Sequence, residues 1–269
     1  MGMEVVRETL RIARPVADVW RAWTDPAWVA GWHAERVEGE LCTGERVELH
    51  WDSLGMAIEL EVIAVEAPRR LVLRGTPPGR PPQTLTVELA DDGMATSLAI
   101  SHDGFLPGQA GAEERAGTAA GWRTATRVLA HYLARHAGQS RTCAAALAPV
   151  AAALDDIAPL FERPGWLAGE LAIGGEGSPI AFRTAGGRAL RGRVLASALP
   201  RQIALGIDDT AGVLVLRAIR LDSHAALVGA MVWSWEPDRP AHAELAASLE
   251  PALARLVAAL GGPAAGGAA

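Results

Sequence analysis

Residues 15–32 read PVADVWRAWTDPAWVAGW. Proline suits the first turn of a helix, where a backbone N–H has no helical partner, so a helix can begin at Pro15. Asp25 can cap a second helix that contains Pro26 and ends near Trp32. The stretch therefore predicts two short consecutive helices. The first carries one apolar stripe, formed by Val16, Val19, Trp20 and Trp23.

Strand patterns surround this pair of helices. Residues 4–14 alternate before it, and alternating segments follow at 45–51, 56–64, 71–74, 85–89 and 96–102. The turn Asp91-Asp92-Gly93 joins the last two segments as a hairpin. Residues 112–136 then have the apolar spacing of one long helix, which can cover an apolar sheet face. This order predicts an α+β domain, in which an antiparallel sheet curls around a long C-terminal helix.

The second half of the chain repeats the first. The segment 26–31, PAWVAG, recurs as PGWLAG at 164–169, an offset of 138 residues. Residues 67–73 recur as 199–205 at an offset of 132, and residues 127–130 recur as 255–258 at an offset of 128. Three matches in the same order, with a falling offset, indicate a duplicated domain whose loops were shortened.

The second copy differs from the first at its start. Residues 142–161 have apolar residues at helical spacing, interrupted by Pro149 and Pro159, where a first strand is expected. We therefore predict a degenerate copy that is incomplete at its N-terminus and ends in a closing helix over 240–260. The expected domains are 1–138 and 139–262, and 263–269 is expected to be a disordered Gly/Ala tail. Strand patterns in the second copy lie at 180–183, 189–197, 202–207, 213–220 and 225–235.

Composition argues against several functional classes. The chain has 25 basic and 31 acidic residues, a net charge of −6, and no basic run, so we expect no nucleic-acid partner. Cys42 and Cys143 lack C-x-x-C partners, which fits a reducing cytoplasm better than a disulfide framework. No segment has the length and hydrophobicity of a membrane span or a signal peptide. We expect a cytoplasmic protein with no membrane partner.

Several motifs in the first half resemble a known superfamily. They are Pro15-x-x-x-Val19-Trp20-x-Ala22-Trp23-Thr24-Asp25-Pro26, Trp32-His33, Gly44-Glu45, Gly121-Trp122 and His131-Tyr132-Leu133. They resemble the helix-grip (START-like, SRPBCC) superfamily of START lipid-transfer domains, plant pollen-allergen proteins and polyketide cyclases. They are most similar to the bacterial homologues of the heat-shock-protein-90 ATPase activator. His33 departs from the pattern, because relatives usually have an aromatic residue there.

This resemblance implies a seven-stranded antiparallel sheet around the long helix, with a cavity between them that holds an apolar ligand in many relatives. Six of the nine tryptophans lie in the first half, as suits an aromatic pocket, so we expect a smaller or collapsed pocket in the second copy. The predicted ligand-binding residues share the apolar strand face, the facing side of the long helix or the end of the second short helix. They are Trp28, Trp32, His33, Leu49, Trp51, Ile58, Leu60, Leu98, Ile100, His102, Trp122, Thr126 and Leu129.

Histidines near this cavity allow two interpretations. His33, His50 and His102 are either capped or surface histidines, which we favour, or general acid–base groups, for which His33 and His102 are the candidates. No metal site is expected, because His131 and His136 lie on different faces of the long helix and the sequence has neither an H-x-x-x-H nor an H-E-x-x-H motif. Two further groups, Glu59 with Glu61 and the glycine-rich segment 174–177, are interpreted as a solvated strand face and a turn.

The expected function is therefore binding of a small hydrophobic molecule by the first domain, without a cofactor, while the second domain has a packing role. An aromatase/cyclase-like enzyme that uses the same cavity is the alternative, and a co-chaperone-like protein-interaction module is a second alternative. An apolar tunnel would favour binding, whereas a convergent His/Glu/Arg group at its base would favour catalysis. We also expect a monomer with an intramolecular pseudo-dimer of the two domains.

Overall fold

The computed structural model describes residues 4–168, 171–184 and 186–262. It divides the chain into two compact units, Met1–Ser140 and Arg141–Ala269. Each unit contains one antiparallel sheet with helices, so the predicted α+β class and two-domain organisation are confirmed. The predicted tail, 263–269, lies outside the described residues. Among the described residues, no helix is both long enough and apolar enough to cross a membrane.

The first unit contains seven strands and three α-helices. Its sheet has the order β1-β7-β6-β5-β4-β3-β2, so the first strand pairs with the last and the short β2 forms the far edge. The elements are β1 (Val6–Ile12), α1 (Val16–Thr24), α2 (Pro26–Trp32), β2 (Arg36–Gly39), β3 (Arg46–Trp51), β4 (Met56–Glu66), β5 (Arg70–Gly75), β6 (Gln83–Asp91), β7 (Thr96–Asp103) and α3 (Gly108–Arg135).

The two short helices form as the sequence predicts. The carboxylate of Asp25 accepts a 3.0 Å hydrogen bond from the backbone N–H of Ala27, and the same carboxylate accepts a bond from Arg21. The apolar stripe of α1 is buried at Val19 and Trp23. The four-residue strand β2 has no predicted counterpart, because its residues are mostly exposed and give no apolar alternation.

The long helix α3 packs on β1 and on α2. Tyr132 is fully buried in this contact, and its hydroxyl oxygen accepts a 2.8 Å hydrogen bond from the N–H of Gly138. A β-carbon at Gly31 of α2 would lie only 2.6 Å from that hydroxyl oxygen. The absence of a side chain at Gly31 therefore allows the two helices to approach closely.

The second unit contains six strands, in the order β8-β13-β12-β11-β10-β9. Its core includes Phe161, Trp166, Phe182 and the inward residues of all the central strands. The elements are β8 (Thr142–Val150), α4 (Leu154–Glu162), α5 (Gly165–Ala168), β9 (Pro179–Arg183), β10 (Ala189–Ala198), β11 (Gln202–Ile207), β12 (Gly212–Arg220), β13 (Ala226–Ser234), α6 (Pro240–Ala247) and α7 (Leu249–Ala259).

Backbone details recur between the units. The pairing of β4 with β5 has an irregularity between Val62 and Ala64, and that of β10 with β11 has the same irregularity between Val194 and Ala196. Just before β3, the N–H of Gly44 bonds to a carbonyl of β4 at 2.8 Å, and Gly177 makes the same bond to β10 before β9. The repeat that the sequence shows therefore extends to strand order and bulge position.

The predicted helical start of the second copy is wrong. Residues 142–150 form β8, which pairs with β13 as β1 pairs with β7. Four alanines in this segment fit a strand as well as a helix, so apolar spacing alone could not decide between them. Pro149 is tolerated because β8 is an edge strand. The second copy therefore has its N-terminal strand. The strand of the first unit that has no counterpart among the described residues of the second unit is β2.

The single closing helix expected over 240–260 is also wrong, because the helix is divided at Ser248. Pro251 lies in the first turn of α7. A proline ring clashes with the carbonyl four residues earlier and supplies no N–H, so a continuous helix through Ala247 is disfavoured. The N–H of Ser248 instead closes α6 on the carbonyls of Glu244 and Leu245. The corresponding part of α3 contains no proline and is continuous.

Candidate functional site

The first unit contains a cavity of about 640 Å³ between its sheet and its helices. This volume lies within the range of small-molecule sites, which is roughly 300–1,000 Å³. Strands β3 to β7 supply most of its wall, and the tryptophans come from α1, α2, α3 and the end of β3. Eight of the predicted ligand-binding residues line it, namely Trp32, His33, Leu49, Trp51, Ile58, Leu60, His102 and Trp122.

The other five predicted residues lie outside the lining. Helix α3 packs directly on β1, so the neighbouring part of the sheet is filled with core side chains, including the fully buried Leu98, Ile100 and Leu129. Thr126 is buried on the same side, where its hydroxyl donates to the carbonyl of Arg123 at 3.2 Å. Trp28 contacts Tyr132 at right angles, with ring centroids 6.3 Å apart. The prediction that these five residues line the cavity is corrected accordingly.

Sequence reasoning also missed several residues of the lining. Trp23 and Val47 lie on apolar faces that the spacing identifies, so their signal was present. Leu73 and Leu85 belong to predicted strands and could have been found in the same way. The loop residues 76–78 line the cavity too, and no periodic pattern marks them in the sequence.

Aromatic rings form a continuous wall at one end of the cavity. The imidazole of His33 stacks on Trp122, with centroids 5.7 Å apart and planes 20° apart, and it contacts Trp51 edge to face at 5.3 Å. Trp32 lies against the same imidazole at 4.9 Å, and Trp23 meets Trp32 at 5.0 Å. His33 therefore packs among the tryptophans as an aromatic ring would.

Backbone carbonyls hold two of these indoles in place. The Nε1–H of Trp32 donates to the carbonyl of Ala22 at 2.8 Å, and that of Trp51 donates to the carbonyl of His33 at 3.0 Å. Buried indole N–H groups normally need such partners. Because the bonds fix the ring planes, this part of the wall is formed before a ligand arrives.

His102 of β7 lines the cavity, and a hydrogen bond from Trp122 of α3 holds its side chain. The Nε1–H of Trp122 donates to Nδ1 of His102 at 3.1 Å. In the neutral imidazole the proton then lies on Nε2, which becomes a hydrogen-bond donor. Burial lowers the pKa of His102 below its usual value, and the nearby charges of Asp103 and Glu114 oppose this only in part. The ring is therefore neutral near pH 7.

Charged residues of the lining lie where the cavity meets solvent. Arg46 pairs with Glu59 at 2.5 Å, and Arg74 lies 3.8 Å from Glu61. These four side chains are 44% to 71% exposed, so they stay hydrated and do not form a buried catalytic cluster. Among the described residues of the lining, the inner polar groups are therefore histidines and uncharged side chains.

His50 does not approach the cavity. It lies on the opposite face of β3 from Leu49, together with Glu48, and near Glu38 of β2. Side chains alternate along a strand, so a residue next to a cavity-lining leucine must point away from the cavity. The prediction that His50 approaches the cavity is wrong.

Strand register shows what the second unit has at the position of His102. In the first unit, Leu85 of β6 pairs with His102 of β7. In the second unit, the corresponding Leu214 of β12 pairs with Val232 of β13. The second unit therefore has an aliphatic side chain where the first has a hydrogen-bond donor.

Three solved structures are similar to parts or most of this chain. Protein MLL2253 from Mesorhizobium loti is 23% identical and covers 49% of this chain and 98% of its own, with a TM-score of 0.45. DynU16, from the dynemicin biosynthetic locus, is 22% identical over 96% of this chain and 100% of its own, with a TM-score of 0.45. The di-domain ARO/CYC BexL, from the BE-7585A biosynthetic pathway, is 13% identical over 86% and 85%, with a TM-score of 0.46.

No curated protein matches the chain. Residues 13–134 match the family model described as "Activator of Hsp90 ATPase homolog 1-like protein". This segment begins at the end of β1 and ends within the last turn of α3, so it contains the helices and strands that enclose the cavity. The first unit of this chain is therefore similar to the activator of Hsp90 ATPase homolog 1-like proteins.

Proposed function

We propose that the first unit binds one small hydrophobic molecule that carries a hydrogen-bond acceptor. The observation that supports this most strongly is the cavity of about 640 Å³, with its fixed aromatic wall and its charges confined to the solvent-exposed edge. Small-molecule sites are mostly apolar and aromatic, with a few polar groups that orient the ligand. The cavity has this composition.

In this proposal, the polar atom of the ligand accepts a hydrogen bond from His102. Its Nε2–H is a donor because Nδ1 is engaged by Trp122. A carbonyl, ether or phenol oxygen can accept from that N–H. Since burial keeps the imidazole neutral, the site offers no full positive charge to a carboxylate at this depth. The expected ligand is therefore uncharged at the end that enters first.

A cavity-blocking variant tests the proposal. Ile58 lines the cavity and is 40% exposed, so Ile58→Trp can fill the opening without disturbing the core. Met56 lies two residues earlier on the same face of β4, is 41% exposed and lies outside the lining, which makes Met56→Trp the matched control. The probe is N-phenyl-1-naphthylamine, an uncharged apolar fluorophore, titrated into the complete chain.

Ile58→Trp is expected to weaken probe binding by about tenfold or more, while Met56→Trp keeps the affinity of the original protein. Both variants should retain its melting temperature, since both positions are partly exposed. Equal probe affinity in the two variants would show that the probe does not bind in this cavity.

A cyclase-like activity is the second candidate, and one arrangement favours it. His33 stacks on the indole of Trp122, and His102 accepts that indole's N–H. In such a reaction His102 would donate to a ketone oxygen, and His33 would remove the proton from the adjacent carbon. Deuterium exchange at the central carbon of an uncharged β-diketone, followed by NMR, tests this step. Exchange that is lost in both His33→Ala and His102→Ala would support catalysis, and exchange at the buffer rate would rule it out for this substrate class.

A further inference from the structure

A second cluster of ionisable side chains lies on the outer face of the β2–β3 edge, away from the cavity. Glu38 of β2 and Glu48 of β3 are directly opposite each other in the antiparallel register. His50 lies two residues after Glu48 and therefore on the same face of the strand. One potential ligand atom from each of the three side chains lies within 4.8 Å of the other two.

The imidazole of His50 faces both carboxylates. Its Nε2 atom is 3.5 Å from Oε2 of Glu48 and 3.8 Å from Oε1 of Glu38. The side chain is only 13% exposed, and Nε2 is buried with no hydrogen-bond partner among the described residues. A buried polar atom without a partner is costly, and like charges directly opposite on a sheet are destabilising. A cation between these three groups would remove both costs.

Two of the three separations are close to those in a zinc site. Zinc binds imidazole nitrogen and carboxylate oxygen at about 2.0–2.2 Å in tetrahedral geometry, which places neighbouring ligand atoms about 3.3–3.5 Å apart. The two distances from His50 are therefore at, or a few tenths of an ångström above, the required values. Mixed imidazole and carboxylate donors also suit zinc better than calcium or magnesium, which prefer oxygen ligands alone.

We propose that Glu38, Glu48 and His50 bind a zinc ion, with water as the fourth ligand. The ion would link β2, an edge strand of four residues, to β3. The sequence gives no signal for such a site. Its ligands come from two strands, and the register between those strands cannot be read from the spacing of residues along the chain.

Arg36 limits the affinity of the site. Its guanidinium pairs with Glu38 and lies 3.5 Å from Asp52, so a bound cation must share Glu38 with it. Arg36 is 45% exposed, and its removal should leave the fold intact. Arg36→Ala is therefore expected to tighten zinc binding, whereas weaker binding in this variant would contradict the participation of Glu38.

Isothermal titration of zinc chloride into the chelator-treated complete chain tests the site. We expect one site in the original protein, its loss in His50→Ala, and an affinity reduced by about tenfold or more in Glu48→Gln. His224→Ala and Cys42→Ser are the controls, since both residues are exposed and neither belongs to the cluster. Both should retain the site, and circular dichroism should show that all variants are folded.

A second measurement shows whether the zinc binds at this cluster. The imidazole nitrogen signals of His50, observed by long-range proton–nitrogen NMR, should shift on addition of one equivalent of zinc. Zinc binding that survives in His50→Ala, or a Kd weaker than about 1 mM in the original protein, would overturn the proposal. Neither outcome affects the proposed ligand cavity, because the cavity lies on the other face of β3.

Discussion

The indole N–H of Trp122 donates a 3.1 Å hydrogen bond to Nδ1 of His102. This bond joins α3 to β7 beside the cavity, and it determines which imidazole nitrogen carries the proton. The orientation of the donor that we propose for the ligand thus depends on a residue of the long helix. Replacement of either partner should change ligand recognition more than it changes the fold.

Trp122→Phe keeps an aromatic ring but removes the donor to His102. We expect a loss of stability of at least about 1 kcal/mol, because the variant loses one hydrogen bond and its smaller ring leaves buried space unfilled, and we expect weaker binding of the uncharged naphthylamine probe. Carbon NMR of His102 should show that the Nε2–H tautomer no longer dominates. The control is Trp28→Phe, which lies outside the lining and should keep both the tautomer and the affinity. An unchanged tautomer in Trp122→Phe would contradict the role assigned to this bond.

Stability should fall at acidic pH, because burial lowers the pKa of His102 and of His242 in the folded protein. The unfolded chain then binds more protons, so stability rises with pH over the interval between the folded pKa and the unfolded value near 6.5. Urea unfolding between about pH 5 and pH 8 should show this slope. His102→Asn and His242→Asn should each reduce it, whereas His224→Asn, at an exposed position, should not. A slope of opposite sign would exclude burial as the cause.

Gly31→Ala should destabilise the first unit by about 1–3 kcal/mol, the usual cost of overpacking. The new β-carbon would lie 2.6–2.7 Å from three atoms of Tyr132, whose ring is fully buried and cannot move aside. Gly121→Ala is the matched control, because a β-carbon there meets nothing within 4 Å and alanine is the better helix former. Denaturant unfolding should rank Gly121→Ala at or above the original protein. A Gly31→Ala variant of unchanged stability would contradict the close packing of α2 on α3.

Glu114 should control ligand exchange through the loop between β5 and β6. Its carboxylate accepts from Arg80 at 3.1 Å and from Gln83 at 2.7 Å, and loop residues 76–78 line the cavity. We expect faster probe dissociation in Glu114→Gln by stopped-flow fluorescence, by a factor of about two to five, as suits a partly exposed ion pair. Arg80→Ala should act similarly. Additive effects in the double variant would show that the two residues do not act through their contact.

The fold could be predicted from the sequence wherever the apolar pattern is compatible with only one type of secondary structure. The helices after Pro15, the strand alternation and the repeat all match the structure, because caps and apolar periods are local properties. Strand β8 could not be predicted, since an alanine-rich segment fits either period. The break at Ser248 did have a signal, namely Pro251 inside the expected helix.

The site was predictable only in part, because the sequence shows which face is apolar but not where that face is filled. Leu98 and Leu60 belong to apolar faces of the same sheet, yet Leu98 is core and Leu60 lines the cavity. The difference arises from the packing of α3 on β1, which is a tertiary property. The monomeric state stays a prediction, which light scattering can check against the chain mass of 28.1 kDa.

Indole N–H signals in proton–nitrogen NMR test the central claim most directly, because the nine tryptophans are distributed over both units. Titration with the naphthylamine probe should shift the indole signals of Trp51 and Trp122, which line the cavity, and leave that of Trp166 in the second unit unchanged. Shifts confined to Trp166, Trp233 and Trp235, with Trp51 and Trp122 unaffected, would contradict a ligand site in the cavity of the first unit.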